Sequence, residues 1–323
     1  MQEMMVKRAV ELLENGTVDR VLGWTTGEFA YDMTPAVFRS ADDLKNGFVY
    51  NDFCAANLSK YLIKECVAGG KILVFLKPCD TYSFNQLIAE HRIKREMIYV
   101  IGIACEGKAD IDKLKDMGID GITGITAKDG VYTVATIYGD ATVKATDAMA
   151  ERCLSCKSKK HMAYDELIGE DGDVVADCGR FDMVEKLEVM TPDERYEFWR
   201  GELSRCIRCN ACRNVCPACS CEKCIFDNPG SGVSQKAAVN SFEENMFHII
   251  RAFHVAGRCT DCGECTRVCP QNIPLHLLNR KFIKDINAFW GEYQAGENPD
   301  AKPPLGRYEK GDREPGEFGG VQA

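Results

Sequence analysis

The sequence lacks every common signature of a nucleotide-phosphate loop. Neither a G-x-G-x-x-G run nor a P-loop occurs in its 323 residues. A backbone that approaches a pyrophosphate closely generally needs glycine, so no dinucleotide or triphosphate site is legible. Long apolar runs are missing too: none approaches the roughly 18 residues that span a bilayer. There is no surplus of positive charge. Lys and Arg number 40 against 49 Asp and Glu, a net charge of −9, which argues against nucleic acid, whose affinity comes mainly from cations on phosphates. Histidine is scarce. His91, His161, His248, His254 and His276 are the five in the chain. None sits at ligand spacing from a cysteine or in a constellation with carboxylates, so each is expected to be structural or at the surface and no catalytic residue is assigned. The first residues, "MQEMMVKRAVELLENG", mix acids with apolar residues and read as an amphipathic helix rather than an export signal. A cytoplasmic protein is expected.

What the sequence has in excess is cysteine, 18 in all. Secreted disulfide scaffolds are short and carry an export signal. In a reducing compartment this many cysteines points to metal.

The fold class expected is an α/β N-terminal domain with a partly parallel sheet, followed by a mainly α-helical two-cluster domain. Over residues 1–150, "KILVFLK" (71–77) is an apolar run of the kind buried on both faces of a sheet, and "EMIYVIGIAC" (96–105) contains another. Between them "TYSFNQLIAEHRIKRE" places Phe84, Leu87, Ile88 and His91 at helical spacing. Strand, helix and strand make a βαβ unit with parallel strands. A helix over "NLSKYLIKECVAGG" precedes it, with Leu58, Tyr61 and Leu62 on one face; Cys66 in it reads as core. "DGVYTVATIYGD" (129–140) alternates and predicts a hairpin or an edge strand. Residues 151–200 read as a cysteine-bearing connector, 201–295 as the helical domain and 296–323 as an extended tail rich in Pro, Gly and charge. In the helical part Thr191 caps a helix with Pro192 at its first position. Two more helices are expected, over 241–257 and over "PLHLLNRKFIKDINAFWGEY".

Two arms carry the strongest signal. Cys206, Cys209, Cys212 and Cys216 precede Pro217; Cys259, Cys262, Cys265 and Cys269 precede Pro270. Both are C-x2-C-x2-C-x3-C-P, the ferredoxin spacing for 4Fe–4S clusters, in which the fourth cysteine serves the other cluster. Cluster A is therefore assigned to Cys206, Cys209, Cys212 and Cys269, and cluster B to Cys259, Cys262, Cys265 and Cys216. The arms are 42 residues apart. A helix between them makes this part look like the helical two-cluster domain of succinate-dehydrogenase-type and heterodisulfide-reductase-type iron–sulfur subunits.

Ten cysteines remain. Cys153 and Cys156, followed by Cys178, supply three ligands. Cys105 is the leading fourth and Cys79 the next, because both follow buried strands at the carboxyl edge where open α/β sheets build sites. A third 4Fe–4S cluster is expected there, with a zinc held by the same four ligands as the alternative. Cys219, Cys221 and Cys224 form C-x-C-x2-C. Thiolates this close repel unless a cation holds them, so a fourth cluster is expected, completed by Cys54 or Cys79. Alternatively some of the three complete the Cys153 group.

With these residues in place, the chain resembles the beta subunits of deazaflavin-reducing hydrogenases and deazaflavin-linked formate dehydrogenases. "LVFLKPCD", "VIGIACEG", "CLSC" followed by "VVADCG", and "CIRCNACRNVCPACSCEKC" carry the resemblance. It implies an iron–sulfur subunit of a redox complex, with a flavin (FAD) that exchanges hydride with the deazaflavin. The family's glycine-rich N-terminal loop has no counterpart in residues 1–30. The expected function is therefore an electron-transfer subunit of an anaerobic oxidoreductase, relaying single electrons through three or four 4Fe–4S clusters to other subunits, with a ferredoxin among the candidate partners. The alternative is a flavin-containing beta subunit exchanging hydride with a deazaflavin or nicotinamide. A structural or sensing cluster protein is a third reading, disfavoured by the two arms.

Overall fold

The computed structural model describes residues 1–175, 177–231, 240–307 and 310. Among them eight strands form two sheets: β1 (Arg20–Thr26), β2 (Met33–Phe38), β3 (Ile72–Leu76), β4 (Ile98–Ile103), β5 (Ile122–Lys128), β6 (Val131–Thr136), β7 (Ala141–Lys144) and β8 (Glu166–Ile168). The main sheet has the order β2-β1-β3-β4-β8. β1, β3, β4 and β8 run parallel, and β2 closes one edge antiparallel to β1.

β3 is buried on both faces, as its unbroken apolar run requires. The helix after it, Pro78–Ala89, begins earlier than its apolar spacing suggests. Pro78 opens its first turn, which puts Cys79 inside the helix. It also ends sooner: His91 lies beyond it, exposed and at φ +54°, so it is not part of the buried face. The preceding helix is shorter than its pattern, Leu62–Ala68 after a 3-10 turn at Ser59–Tyr61. Leu58 and Leu62 are buried in it, while Tyr61 is exposed.

Residues 129–140 form neither a lone hairpin nor an edge strand. β6 is the middle of a three-stranded antiparallel sheet, β5-β6-β7. Asp129 and Gly130, at φ +50° and +74°, make the turn from β5 into β6, the left-handed pair such a two-residue turn demands.

The connector proves to be partly sheet. β8 pairs with β4 through Gly102↔Leu167 and fastens this stretch to the α/β domain. Beyond it come the three long helices: Pro192–Leu203, capped by Thr191 and Glu194 on each other's backbone N–H; Ser241–His254; and His276–Trp290. Short helices Ala211–Val215 and Glu264–Arg267 sit inside the two cysteine arms.

Residues 296–307 lie against the body rather than extending from it. Gly296 is at φ +78°, and a Cβ there would meet the Tyr82 carbonyl oxygen at 1.8 Å. Pro304 is buried. The expected tail at 308–309 and 311–323 lies outside the described residues.

Glu90, just past the helix Pro78–Ala89, joins the two parts of the molecule. Its carboxylate accepts from Arg258 Nε at 2.8 Å and Nη2 at 2.7 Å, from Ser220 Oγ at 2.9 Å and from Gln86 Nε2 at 2.8 Å. Burial opposes its ionisation, but these donors outweigh burial and hold the carboxyl below its ordinary range. Its contribution is therefore complete above the ordinary glutamate pKa and is lost as the pH falls toward the lower folded value. Glu90→Gln should cost about 2 kcal/mol in urea unfolding. The gap from the parent should stay constant between about pH 8 and 5 and narrow only below about pH 4.3; a gap that shrinks above pH 5 would contradict this account.

Candidate metal centres

The two arms fold alike. Arg208 and Asn210 flank Cys209 with φ of +54° and +63°; Asp261 and Gly263 flank Cys262 with φ of +56° and +68°. Left-handed residues alternating with ordinary ones form a backbone nest, a concavity of N–H groups suited to anions and found at Fe–S sites. At Gly263 a side chain would also collide with Arg152, at 2.7 Å.

Each arm lines its own closed cavity. Cys206, Cys209, Cys212 and Cys269 line one; Cys259, Cys262, Cys265 and Cys216 line the other. In both, the fourth cysteine comes from the other arm. His248 Nε2 lies 3.2 Å from Cys206 Sγ, a contact the sequence spacing does not reveal. Among the remaining histidines, His161 bonds Asp171 at 2.8 Å and the Leu76 carbonyl at 3.1 Å, and His276 bonds Thr266 at 2.9 Å. Both are structural.

A third cavity lies at the carboxyl ends of β3 and β4. Cys79, Cys105, Cys153 and Cys156 line it, together with Lys77, Lys108, Arg152, Lys157, Lys159 and a single carboxylate, Asp261. Cys178 does not line it. That residue is half-buried in the turn before the helix Asp182–Glu188. Cys105 and Cys79, the first and second choices from sequence for a fourth ligand, both line this cavity.

Cys219, Cys221 and Cys224 line a fourth, more open cleft. Neither Cys54 nor Cys79 reaches it. Cys54 is buried in the α/β core, where its sulfur accepts from the Asn51 N–H at 3.3 Å. Cys66 packs half-buried against the same core.

Burial pushes Cys212 up to about 11, and Cys259, Cys262 and Cys265 up to about 12. Burial likewise raises Cys79 and Cys153. Apolar surroundings thus keep these sulfurs protonated unless a cation takes the proton's place. Cys216 and Cys219 share a proton, which lowers Cys216 and raises Cys219.

Among the described residues, no three His, Cys, Asp or Glu converge to hold a single metal ion, the two arms included. Cubane clusters attach each thiolate to a separate iron and so spread them. The side chain that tests this fit is Arg251. It is 1% exposed, and its Nε, Nη1 and Nη2 have no hydrogen-bond partner among the described residues. Burial opposes its charge, but its neighbours Cys265, Cys212, Cys216 and Cys219 favour it once they are thiolates, which raises the guanidinium above its ordinary value. A buried unpaired cation is costly, and this one faces sulfurs from both arms. The thiols, the nests and the orphaned guanidinium all fit anionic clusters bound between them. Sequence reading missed Arg251; the available signal was an arginine within the apolar run "MFHIIRAFHVAG".

Fold and cavities define a class: an α/β sheet domain joined to a ferredoxin-type two-cluster domain. Residues 202–273 match the 4Fe-4S dicluster domain. Over its length the chain is a relative of the beta subunits of F420-dependent formate dehydrogenases. It is 24% identical to the F420-dependent formate dehydrogenase subunit beta of Methanocaldococcus jannaschii, over 93% of this chain and 92% of that one. It is 26% identical to the F420-dependent formate dehydrogenase 1 subunit beta of Methanococcus maripaludis, over 91% and 90%. Among solved structures, a chain of the F420-reducing [NiFe] hydrogenase complex from Methanosarcina barkeri overlaps 57% of this chain and 72% of its own length at 15% identity, with a TM-score of 0.39. A superposition that loose carries no argument. No helix among the described residues is long and apolar enough to cross a membrane.

Arg251→Met should lower the midpoint potentials of the clusters in the two arms by tens of millivolts, with iron content unchanged. Removing a buried cation destabilises the more negative, reduced form; about 59 mV corresponds to tenfold in a one-electron equilibrium. Arg251→Lys should lie closer to the parent. Unchanged potentials in a redox titration followed by EPR would show that the guanidinium does not face the clusters.

Proposed function

We propose that this chain is an electron-relay subunit of a multi-subunit anaerobic oxidoreductase, such as a formate dehydrogenase, a hydrogenase or a heterodisulfide-reductase-like assembly. Clusters A and B take the ligand sets given above for the arms. A third cluster is assigned to Cys79, Cys105, Cys153 and Cys156. The group supplies one chemistry, the passage of single electrons, often at low potential.

The observation that supports this reading most is a shared wall. Cys262 and Asp261 line both the sheet-edge cavity and the cavity of the second arm. The second arm's cavity adjoins the first through Arg251 and through Cys212 and Cys265, the latter two packed in one core. The three sites therefore run in series from the sheet edge to the first arm. At the far end Cys209 is exposed, beside Ile207 at 57% exposure. An apolar tip over the outermost cluster suits docking of a redox partner.

The protein's own residues hold this path in place. Lys77 pairs with Asp80 at 2.7 Å and donates to the Ala56 carbonyl at 2.9 Å. Arg152 donates to the carbonyls of Cys262 at 2.9 Å and Ala55 at 2.6 Å, and it pairs with Glu264. Arg152 thereby fixes the shared wall at Cys262, and Lys77 fixes the turn after β3 that carries Cys79.

The competing reading is a flavin-bearing beta subunit that exchanges hydride, which the F420-dependence in the relatives' names favours. Against it stand the lining of the site at the carboxyl edge of the parallel strands, mostly thiols and cations, and the turn after β3, Lys77-Pro78-Cys79, which offers no glycine for close approach to a pyrophosphate.

Anaerobic purification followed by iron, sulfide and flavin assays tests the relay. At least about twelve irons per chain are expected, four for each cubane, without stoichiometric FAD; stoichiometric FAD would defeat the reading. Cys79→Ser and Cys153→Ser should each remove the same EPR signal and about four irons, while Cys178→Ser leaves both intact. The reverse pattern for Cys79 and Cys178 would restore the ligand set expected from sequence.

A further inference from the structure

The cleft lined by Cys219, Cys221 and Cys224 differs from the other three sulfur cavities in thiol count, room and charge. The other three are each lined by at least four cysteines and hold about 20–30 Å³ of free space. This cleft has three cysteines and about 410 Å³. Its remaining polar wall is mostly cationic: Lys60, Arg213, Arg251 and Arg258 against Glu222 and Asp227. Arg213 is paired with Asp227 at 2.9 Å and Arg258 with Glu90 at 2.7 Å. Lys60 touches no carboxylate within ion-pair distance among the described residues and donates to the Cys219 carbonyl. Arg251 has no hydrogen-bond partner among the described residues. His254 also lines the cleft, with its ring tilted against Phe226 at a 6.3 Å centroid separation.

We propose that Cys219, Cys221 and Cys224 hold a further 4Fe–4S cluster with one iron left open, and that the cleft admits a soft anionic ligand, a thiolate, to that iron. The proposal rests on the reading that this chain holds 4Fe–4S clusters, and it adds a ligand-binding branch to the relay. Three thiolates occupy three irons of a cubane and leave the fourth without a protein sulfur. Carboxylates are hard ligands, and iron in a sulfide cluster prefers thiolates. The free space beside the trio is more than ten times that in each of the other sulfur cavities, and Lys60 and Arg251 offer positive charge to an incoming anion. Cys219 lies against Cys216, so an occupant would sit next to the cluster of the second arm and exchange electrons with it.

An iron without a protein thiolate is the one lost first. The test uses the full chain, purified anaerobically and treated with a small excess of ferricyanide. As one electron passes to ferricyanide, about one ferrous ion per chain should leave, and the EPR signal of a three-iron cluster should appear. The variant with Cys219, Cys221 and Cys224 all changed to Ser should lack that signal and keep those of both arms. Absence of the three-iron signal in the parent with the arm signals present overturns this proposal alone, as does its persistence in the variant. Absence of the arm signals in the parent overturns the cluster reading on which it rests. If the signal appears only after His254→Ala, the imidazole fills the fourth position and the proposal is wrong. Added 3-mercaptopropionate should protect the labile iron at roughly tenfold lower concentration than mercaptoethanol, and Lys60→Met should erase most of that difference. Equal protection by the two thiols in the parent overturns the anionic selectivity.

Discussion

The constraint that organises this molecule is the burial of negative sulfur in a protein interior. Thiolates and sulfide clusters removed from water need compensating positive charge close by, because an uncompensated buried charge costs several kcal/mol or more. The sheet-edge cavity meets this with five cations against one carboxylate. Between the arms it is met by a single guanidinium, Arg251, packed among sulfurs from both. The second arm adds negative charge of its own, since Asp261 and Glu264 line its cavity. Each of those carboxylates is held by two arginines: Asp261 by Arg180 at 2.6 Å and Arg280 at 2.9 Å, Glu264 by Arg267 at 2.8 Å and by Arg152. Arg152, Arg180 and Arg280 come from other segments of the chain, while Arg267 lies on the same short helix as Glu264. The charges that balance the sulfur thereby fasten the two parts of the molecule together.

This coupling of charge to assembly explains the winding of the arms. Left-handed residues on both sides of the central cysteine curl each arm tightly enough to place three sulfurs around one cavity. The fourth cysteine, with proline after it, is carried away to the neighbouring cavity. Two sites built from exchanged cysteines hold each other's chain in place, so neither arm is complete without the other. The same exchange sets the distance between the sites, because Cys212 and Cys265 must meet in one hydrophobic core. A single peptide wall, carrying Asp261 and Cys262, then separates the second arm from the sheet edge.

Much of this was legible in the sequence, and the parts that were not share a physical reason. The arm pattern was readable because cluster spacing is local: three cysteines three residues apart must reach one corner, and the fourth, four residues further and ahead of proline, leaves it. β3 and β4 were readable because parallel strands buried on both faces leave unbroken apolar runs. β1 and β8 carry no such run, β8 being three half-buried residues, and their place follows from pairing with distant strands. The choice between Cys79 and Cys178 could not be made from spacing, since it depends on how the connector returns to the sheet. Pro78 starting a helix directly after β3 is the local detail that turns Cys79 toward the cavity, and "LKPCD" does contain it. Arg251 was missed because an arginine on an amphipathic helix ordinarily points to water; its burial among sulfurs follows from tertiary packing alone.

The sheet edge bears most directly on what the chain does. In open α/β folds the carboxyl ends of parallel strands are where nucleotides and other cofactors sit, on glycine-rich turns and helix N-termini. Here the turn after β3 is Lys77-Pro78-Cys79, not glycine, and Lys77 is spent on Asp80 and the Ala56 carbonyl. The turn after β4 delivers Cys105, and β8 ties the stretch holding Cys153 and Cys156 to the same edge. An edge furnished this way presents thiols and positive charge to an anion. The wall shared with the second arm, Asp261 and Cys262, joins this edge to the next sulfur cavity.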